Sequence, residues 1–331
     1  MSTADTDGIV TRAPHLAELV GSLPSQPIDQ DRARGVLLGL AVGNLLGLPV
    51  EGASRSTIRR AYPDGLSDID PRERHRPMDD DLAQAVDLAE ALAHDPDPVT
   101  GFADRLVKWR TNNGRGIGIM TSTVIDYLEV GLGVPGAARA FWRERGSPET
   151  QPNGALMRCA PVALRHALEP DRLSEQTAST CAVTHFAPGA QWSCILVNAA
   201  IAMLLCGHPP SRDDLILAAS QDGAPAELIA WTLAIPDAIE QRIAEERVSG
   251  HTYLCMQAAL WCLDTDDGLE DALIRIVNAG GDTDTNAAVA GAVLGARFGA
   301  AAIPRRWLEC VPDRSRIEAA SRALLGGSSN D

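Results

Sequence analysis

The sequence predicts an all-α protein built as one domain. Three observations carry that prediction. Of 331 residues, 45% are hydrophobic but only 4% are aromatic, so the core must be assembled from Ala, Leu, Val and Ile. Ala-rich apolar sequence favours closely packed helices over sheets. Apolar residues recur at helical spacing, and residues 31–325 contain no β-alternating run, internal repeat or low-complexity linker.

Residues 1–30 carry Pro, Ser, Asp and Gln with weak periodicity and read as an N-terminal tail, whose docking against the domain the sequence leaves open. Asp31 opens "DRARGVLLGLAVGNLLG", a helix with Gly35, Gly39, Gly43 and Gly47 at spacing four. Each glycine costs roughly 1 kcal/mol against alanine in a helix. Four on one face predict another backbone packed very close. "YPDGLSDIDPRERHRP", Tyr62 to Pro77, reads as loop. The helix after it places Leu82, Ala85, Val86, Ala89 and Leu92 on one face, with Asp79 to Asp81 at its start. "NNGRGIGIMTS" is a Gly-rich loop before a helix, and "ETQPNGALMRCAPVALRHAL" enters a helix near Ala155. "WSCILVNAAIAMLLCG" is too short and interrupted for a membrane span and reads as a buried central helix. Further helices are expected near Pro225–Ile235, His251–Leu263 and Leu269–Val277. Residues 326–331 read as a C-terminal tail.

The formal net charge of −15 argues against a sequence-independent grip on nucleic acid and against an anionic membrane surface. Lys108 is the lone lysine, a composition bias from which no function follows. The seven cysteines form no C-x-x-C pair, and several lie in apolar helical stretches. They read as reduced core residues. With no hydrophobic signal region at the N-terminus, a cytoplasmic protein is expected.

Three acidic clusters need explanation. Asp79, Asp80 and Asp81 open a helix, where one Asp would cap free N–H groups. Three adjacent ones repel, and a metal role is the alternative. Asp282 and Asp284 stand between Gly280–Gly281 and a long apolar helix, each followed by a threonine. Capping again competes with metal binding: carboxylates at i, i+2 in a tight turn converge, and hard cations take carboxylate and hydroxyl oxygens. In "DTDDGLEDA", Asp267 and Glu270 fit a capping box and fail the EF-hand spacing. The first two clusters are far apart in the chain, so only a single fold can join them into one site.

Taken in order, "RGVLLGLAVGNLLGLPVE", "DDDLAQAVDLAEAL", "RGIGIMTS", "NGALMRCAP", "THFAPGAQ" and "GGDTDTNAAVAGAVLGA" resemble the motifs of the ADP-ribosylglycohydrolase family. That family includes ADP-ribosylarginine hydrolases and dinitrogenase reductase-activating glycohydrolases. The resemblance covers about residues 31–300, and its last segment is the most specific. It implies an orthogonal all-α bundle with two Mg²⁺ or Mn²⁺ ions in a central cleft. Asp80, Asp81, Asp282, Asp284 and Thr285 would be metal ligands, joined by Asp79. Asp80, Asp81 and Asp282 would serve catalysis by fixing metal geometry. Glu51 matches the family's loop glutamate, as general acid, general base or lid. Gly114, Gly116, Gly118, Asn153 and Gly154 would lie against ADP-ribose. His185 has two readings, a substrate contact or a histidine ordering its own turn. Arg158 is a candidate helper for the diphosphate, or structural.

The chain departs from the pattern at four places. Asn44 stands where Asp is usual, Asp79 where Ser or Thr is usual, and Leu82 where Thr is usual. Pro152 precedes Asn153 where a small residue is common. The reaction implied is hydrolysis of the bond from ADP-ribose to a modified protein side chain, arginine first. Ser-linked or O-acetyl-ADP-ribose and a weakly active ADP-ribose-binding relative are the alternatives. The implied partner is an ADP-ribosylated protein or small ADP-ribose conjugate, with no nucleic acid and no membrane.

Overall fold

The computed structural model describes residues 8–22, 27–147, 151–245 and 250–326. Among them the chain forms eighteen α-helices and no strand, in one domain, as the sequence predicts. Two isolated bridges, Ser54 with Gly280 and Pro152 with His251, are the extended pairings. Both bring distant loops to one end of the bundle.

The fold is organised by one helix pair. Gln30–Gly47 packs along Thr283–Phe298, and the glycine stripe is the contact. A Cβ on Gly35, Gly39 or Gly43 would collide with the carbonyl of Gly295, Gly291 or Ala287. A Cβ on Gly47 would collide with the backbone of Asp284. The predicted close backbone is therefore supplied by the helix of the second acidic cluster. The Thr283 hydroxyl bonds the Gly47 carbonyl at 2.8 Å and sets the register.

Pro188–Leu205 is the central helix, with every residue from Gly189 to Leu205 buried. It and the glycine helix are long and apolar enough to cross a membrane, but 94% and 83% of their apolar windows lie buried inside the fold. All seven cysteines are buried and free.

One open question is answered and one expectation is corrected. Part of the N-terminal segment docks. The helix Pro14–Gly21 is anchored by Asp222, whose carboxylate accepts from the backbone N–H of His15 and of Leu16 at 3.0 Å each. The Val10 N–H donates to Gln191 Oε1 at 2.9 Å. Its anchors lie far along the chain, so no local pattern reveals them. The Asp267–Glu270 capping box does not form. Gly268 is the N-cap of Leu269–Val277, Asp267 pairs with Arg275 at 3.0 Å, and Glu270 pairs with Arg306. Two arginines hold the carboxylates that the cap would have used.

Candidate active site

At the end of the bundle where Gln30–Gly47 meets the start of Thr283–Phe298 lies a cavity of about 320 Å³. Glu51, Asp80, Asp81, Asp282, Asp284 and Thr285 line it. Gly116, Gly118, Asn153, Gly154 and His185 line it with them. The two acidic clusters are thus one site: the Thr285 hydroxyl lies 3.5 Å from Asp81 Oδ2 across 204 residues of chain.

Capping does not account for these carboxylates. Asp79 is the N-cap of Asp80–His94, yet no side-chain bond closes the cap. Its Oδ2 accepts from Asn44 Nδ2 at 3.0 Å instead. Asp282 is the N-cap of Thr283–Phe298, again without a side-chain cap bond, and accepts from Asn153 Nδ2 at 2.8 Å. One oxygen each of Asp79, Asp81 and Asp284 is buried with no partner. Unsatisfied buried polar atoms are rare, and they are costly.

Electrostatics agree with the geometry. Burial first, then the charge of Asp79, pushes the Asp80 carboxyl up to about 7. Burial raises Asp81 well above the carboxylate range, with Asp284 the next cause. Asp284 is raised by burial and then by Asp282. Carboxylates held this close disfavour ionisation unless a cation joins them. Oxygens of Asp79, Asp80 and Asp81 lie within 4.8 Å of one another. An all-oxygen donor set with orphaned lone pairs fits a hard divalent cation.

Loop geometry places the rest. Gly280 and Gly281 have φ of +89° and +77°. Gly281 N–H donates to the Ala53 carbonyl at 2.9 Å, and its own carbonyl accepts from Gly52 at 2.8 Å. This exchange fixes the Glu51 loop beside Asp282. Burial, followed by the charges of Asp282 and Asp79, raises the Glu51 carboxyl. Gly116, at φ +83°, sits so close to Asp80 Oδ1 that a Cβ has no room. Gly154 packs on the His185 ring, where a Cβ would stand 3.0 Å from Cε1. Asn153 N–H is tied to the Gly250 carbonyl at 3.0 Å.

His185 orders its own turn and also borders the cavity. Its Nδ1 bonds the neighbouring Thr184 hydroxyl at 2.7 Å, and the ring also lines the cavity. Burial, with Arg158 second, lowers it to about 3, so it is neutral. Arg158 donates to the same Thr184 Oγ1 at 2.5 Å, tying the hydroxyl and the imidazole into one buried network.

Arg158 itself is structural. It is 1% exposed, donates also to Gln84, and lies 5.0 Å from the Phe102 ring centroid. Gly114 is not brought to the cavity. It closes the helix Pro98–Asn112, its N–H on the Trp109 carbonyl at 3.1 Å. Asp79 stands behind the lining residues, and Leu82 is core, 1% exposed. Sequence reasoning missed Ile119, Met120, Thr121 and Met157 as lining residues. The first three fall inside the Gly-rich segment "NNGRGIGIMTS", and that membership was their only signal.

An all-α bundle closed by a glycine-mediated helix pair brings carboxylates from two helix N-termini to one cleft. Comparison with known proteins gives the family. A sequence model of the ADP-ribosylglycohydrolase family matches residues 25–331. The chain is 28% identical to the ADP-ribosylarginine hydrolase Tri1 of Serratia proteamaculans, over 89% of this chain and 79% of that protein. It is 26% identical to the ADP-ribosyl-[dinitrogen reductase] glycohydrolase of Rhodospirillum rubrum, over 85% and 90%. A solved structure titled ADP-ribosylglycohydrolase-related protein complex superposes with a TM-score of 0.72 at 27% identity, covering 90% of this chain and 98% of that one. The chain belongs to the ADP-ribosylglycohydrolase family and is a hydrolase of that kind.

Proposed function

We propose that this protein is a divalent-metal-dependent hydrolase that releases ADP-ribose from modified arginine. The carrying observation is the convergence of Asp80, Asp81, Asp282, Asp284 and Thr285 on one cavity, with orphaned carboxylate oxygens. A relative named ADP-ribosylarginine hydrolase supports the linkage, and one named ADP-ribosyl-[dinitrogen reductase] glycohydrolase supports a protein substrate.

Asp80, Asp81, Asp282, Asp284 and Thr285 would hold two Mg²⁺ or Mn²⁺ ions, with Asp79 adding charge from behind. When bound, such ions supply Lewis-acid stabilisation and a water of lowered pKa. The chain's residues do the remainder. Backbone N–H groups of the Gly116–Gly118 loop receive the diphosphate. Asn153 orients Asp282, and neutral His185 presents its ring to the ligand. Water adds at C1″ as the C–N bond breaks, through oxocarbenium character. Glu51, at the mouth beside Asp282, carries the proton that the leaving guanidine nitrogen takes up. The buried free cysteines support a reducing, cytoplasmic setting.

The test measures free ADP-ribose released from ADP-ribosyl-arginine and ADP-ribosyl-serine peptides with Mg²⁺, Mn²⁺ or EDTA. Metal-dependent release from the arginine peptide supports the reading. Release from the serine peptide alone moves the linkage. Binding of ADP-ribose without release from either peptide makes the chain a binding relative, and no binding overturns the reading.

A further inference from the structure

Glu73 is 2% exposed yet lies outside the cavity, in the turn Pro71–His75 within the stretch whose sequence reads only as loop. A buried carboxylate is costly unless paired. Its Oε2 accepts from both Nη1 and Nη2 of Arg115 at 3.2 Å, and its Oε1 accepts from Arg76. Arg115 belongs to the Gly-rich loop. Its Nη1 also donates to the Pro77 carbonyl at 2.8 Å, two residues before Asp79. On the same seam, Asn113 Nδ2 donates to the Met78 carbonyl at 2.6 Å. The next glycine, Gly116, then meets Asp80 with no space for a Cβ. One loop is therefore pinned against the other at three successive points, and Glu73 anchors the charged one.

We propose that Glu73 and Arg115 are positioning residues that hold the Gly116–Gly118 loop against Asp80, so that ligand binding at the loop and cation binding at the carboxylates strengthen each other. The proposal rests on the reading of the cavity as an ADP-ribose and cation site. Neither side chain lines the cavity, so both act through Asp80 and the loop backbone. Coupling of this kind is reciprocal: whatever ADP-ribose does to Mn²⁺ affinity, Mn²⁺ does to ADP-ribose affinity.

The experiment titrates Mn²⁺ into the full chain by calorimetry, with and without ADP-ribose. The proteins are the parent, Arg115→Gln, Glu73→Gln, the double variant and Arg115→Lys. In the single variants the effect of ADP-ribose on Mn²⁺ affinity falls by about fivefold or more, the low end of a typical coupling between two sites. The double variant loses no more than either single, because the two act as a unit. Arg115→Lys keeps charge but not the fork, and restores part of the effect. In peptide hydrolysis KM rises while kcat stays near the parent's. If Glu73→Gln does not fold, Arg115→Gln carries the test, since that side chain is 30% exposed. A parent that binds ADP-ribose, with variants altered only in melting temperature, overturns the proposal alone. A parent that does not bind ADP-ribose overturns the functional reading and this proposal with it.

Discussion

Asn44 donates its Nδ2 proton to Asp79 Oδ2 at 3.0 Å, joining two positions at which this chain departs from the pattern it resembles. The usual arrangement places the carboxylate at position 44 and a hydroxyl at 79. Here the carboxylate stands on the other partner, and a neutral hydrogen-bonding group faces it. Both residues are buried, at 0% and 3% exposure, so neither can change alone without consequence.

That pairing predicts coupled substitutions. In metal-free protein, Asn44→Asp puts two carboxylates in contact and costs at least about 2 kcal/mol in urea unfolding. Adding Asp79→Thr brings stability back toward the parent, because the introduced hydroxyl can donate to the introduced carboxylate. If the two substitutions were simply additive, the pair would not be a unit.

Asp282→Ala removes a carboxylate at the centre of the cavity and leaves Asn153 Nδ2 without its acceptor. ADP-ribose release should fall by at least about a hundredfold. The rise in melting temperature on adding Mn²⁺ should shrink with it, while far-UV circular dichroism stays that of the parent. An Asp282→Ala protein as active as the parent sinks the site assignment.

The metal-free protein should lose stability as pH rises. Asp80 is raised from 3.8 to about 7 in the folded chain, so the folded state keeps a proton that the unfolded state releases. Its contribution is present below about 3.8 and is lost as pH climbs toward 7, at up to about 1.4 kcal/mol per pH unit. Asp81 and Asp284 are shifted in the same direction. Melting in EDTA at pH 5.5 and pH 8 measures this. Asp80→Asn should flatten the dependence, and Mn²⁺ should restore stability at pH 8. Greater stability of the EDTA-treated protein at pH 8 would contradict the electrostatic account.

Gly43→Ala tests the helix pair. On an exposed helix this change stabilises by roughly 1 kcal/mol. Here the added Cβ meets the Ala287 carbonyl, and the two helices must separate. A loss of about 2–3 kcal/mol is expected from such overpacking. Because Gly47 abuts Asp284 on the same seam, Mn²⁺ affinity should drop as well. Unchanged stability would mean that the pair does not hold the two motifs together.

Much of this molecule was legible before its structure. Glycines at spacing four announced a close helix partner, and carboxylates at two helix starts announced an alternative to capping. What stayed hidden involved partners distant in sequence. The docking of Pro14–Gly21 depends on Asp222, the failure of the Asp267–Glu270 cap on Arg275 and Arg306, and the structural role of Arg158 on Gln84 and Thr184. Gly114 was grouped with Gly116 and Gly118 by adjacency, but it ends a helix while they face the cavity.

Periodicity and residue chemistry alone determined that this chain is helical, that its glycine stripe needed a backbone partner, and that two of its acidic clusters had a metal role as the alternative to capping. Those properties are local, set by side-chain spacing and by how few carboxylates a helix N-terminus can use. Only the tertiary structure decided that Asn44 meets Asp79, that Thr285 reaches Asp81, and that Glu73 anchors the Gly-rich loop through Arg115. Each of those contacts closes a long loop of chain, and it exists because burial of the surrounding helices repays the entropy of bringing its ends together.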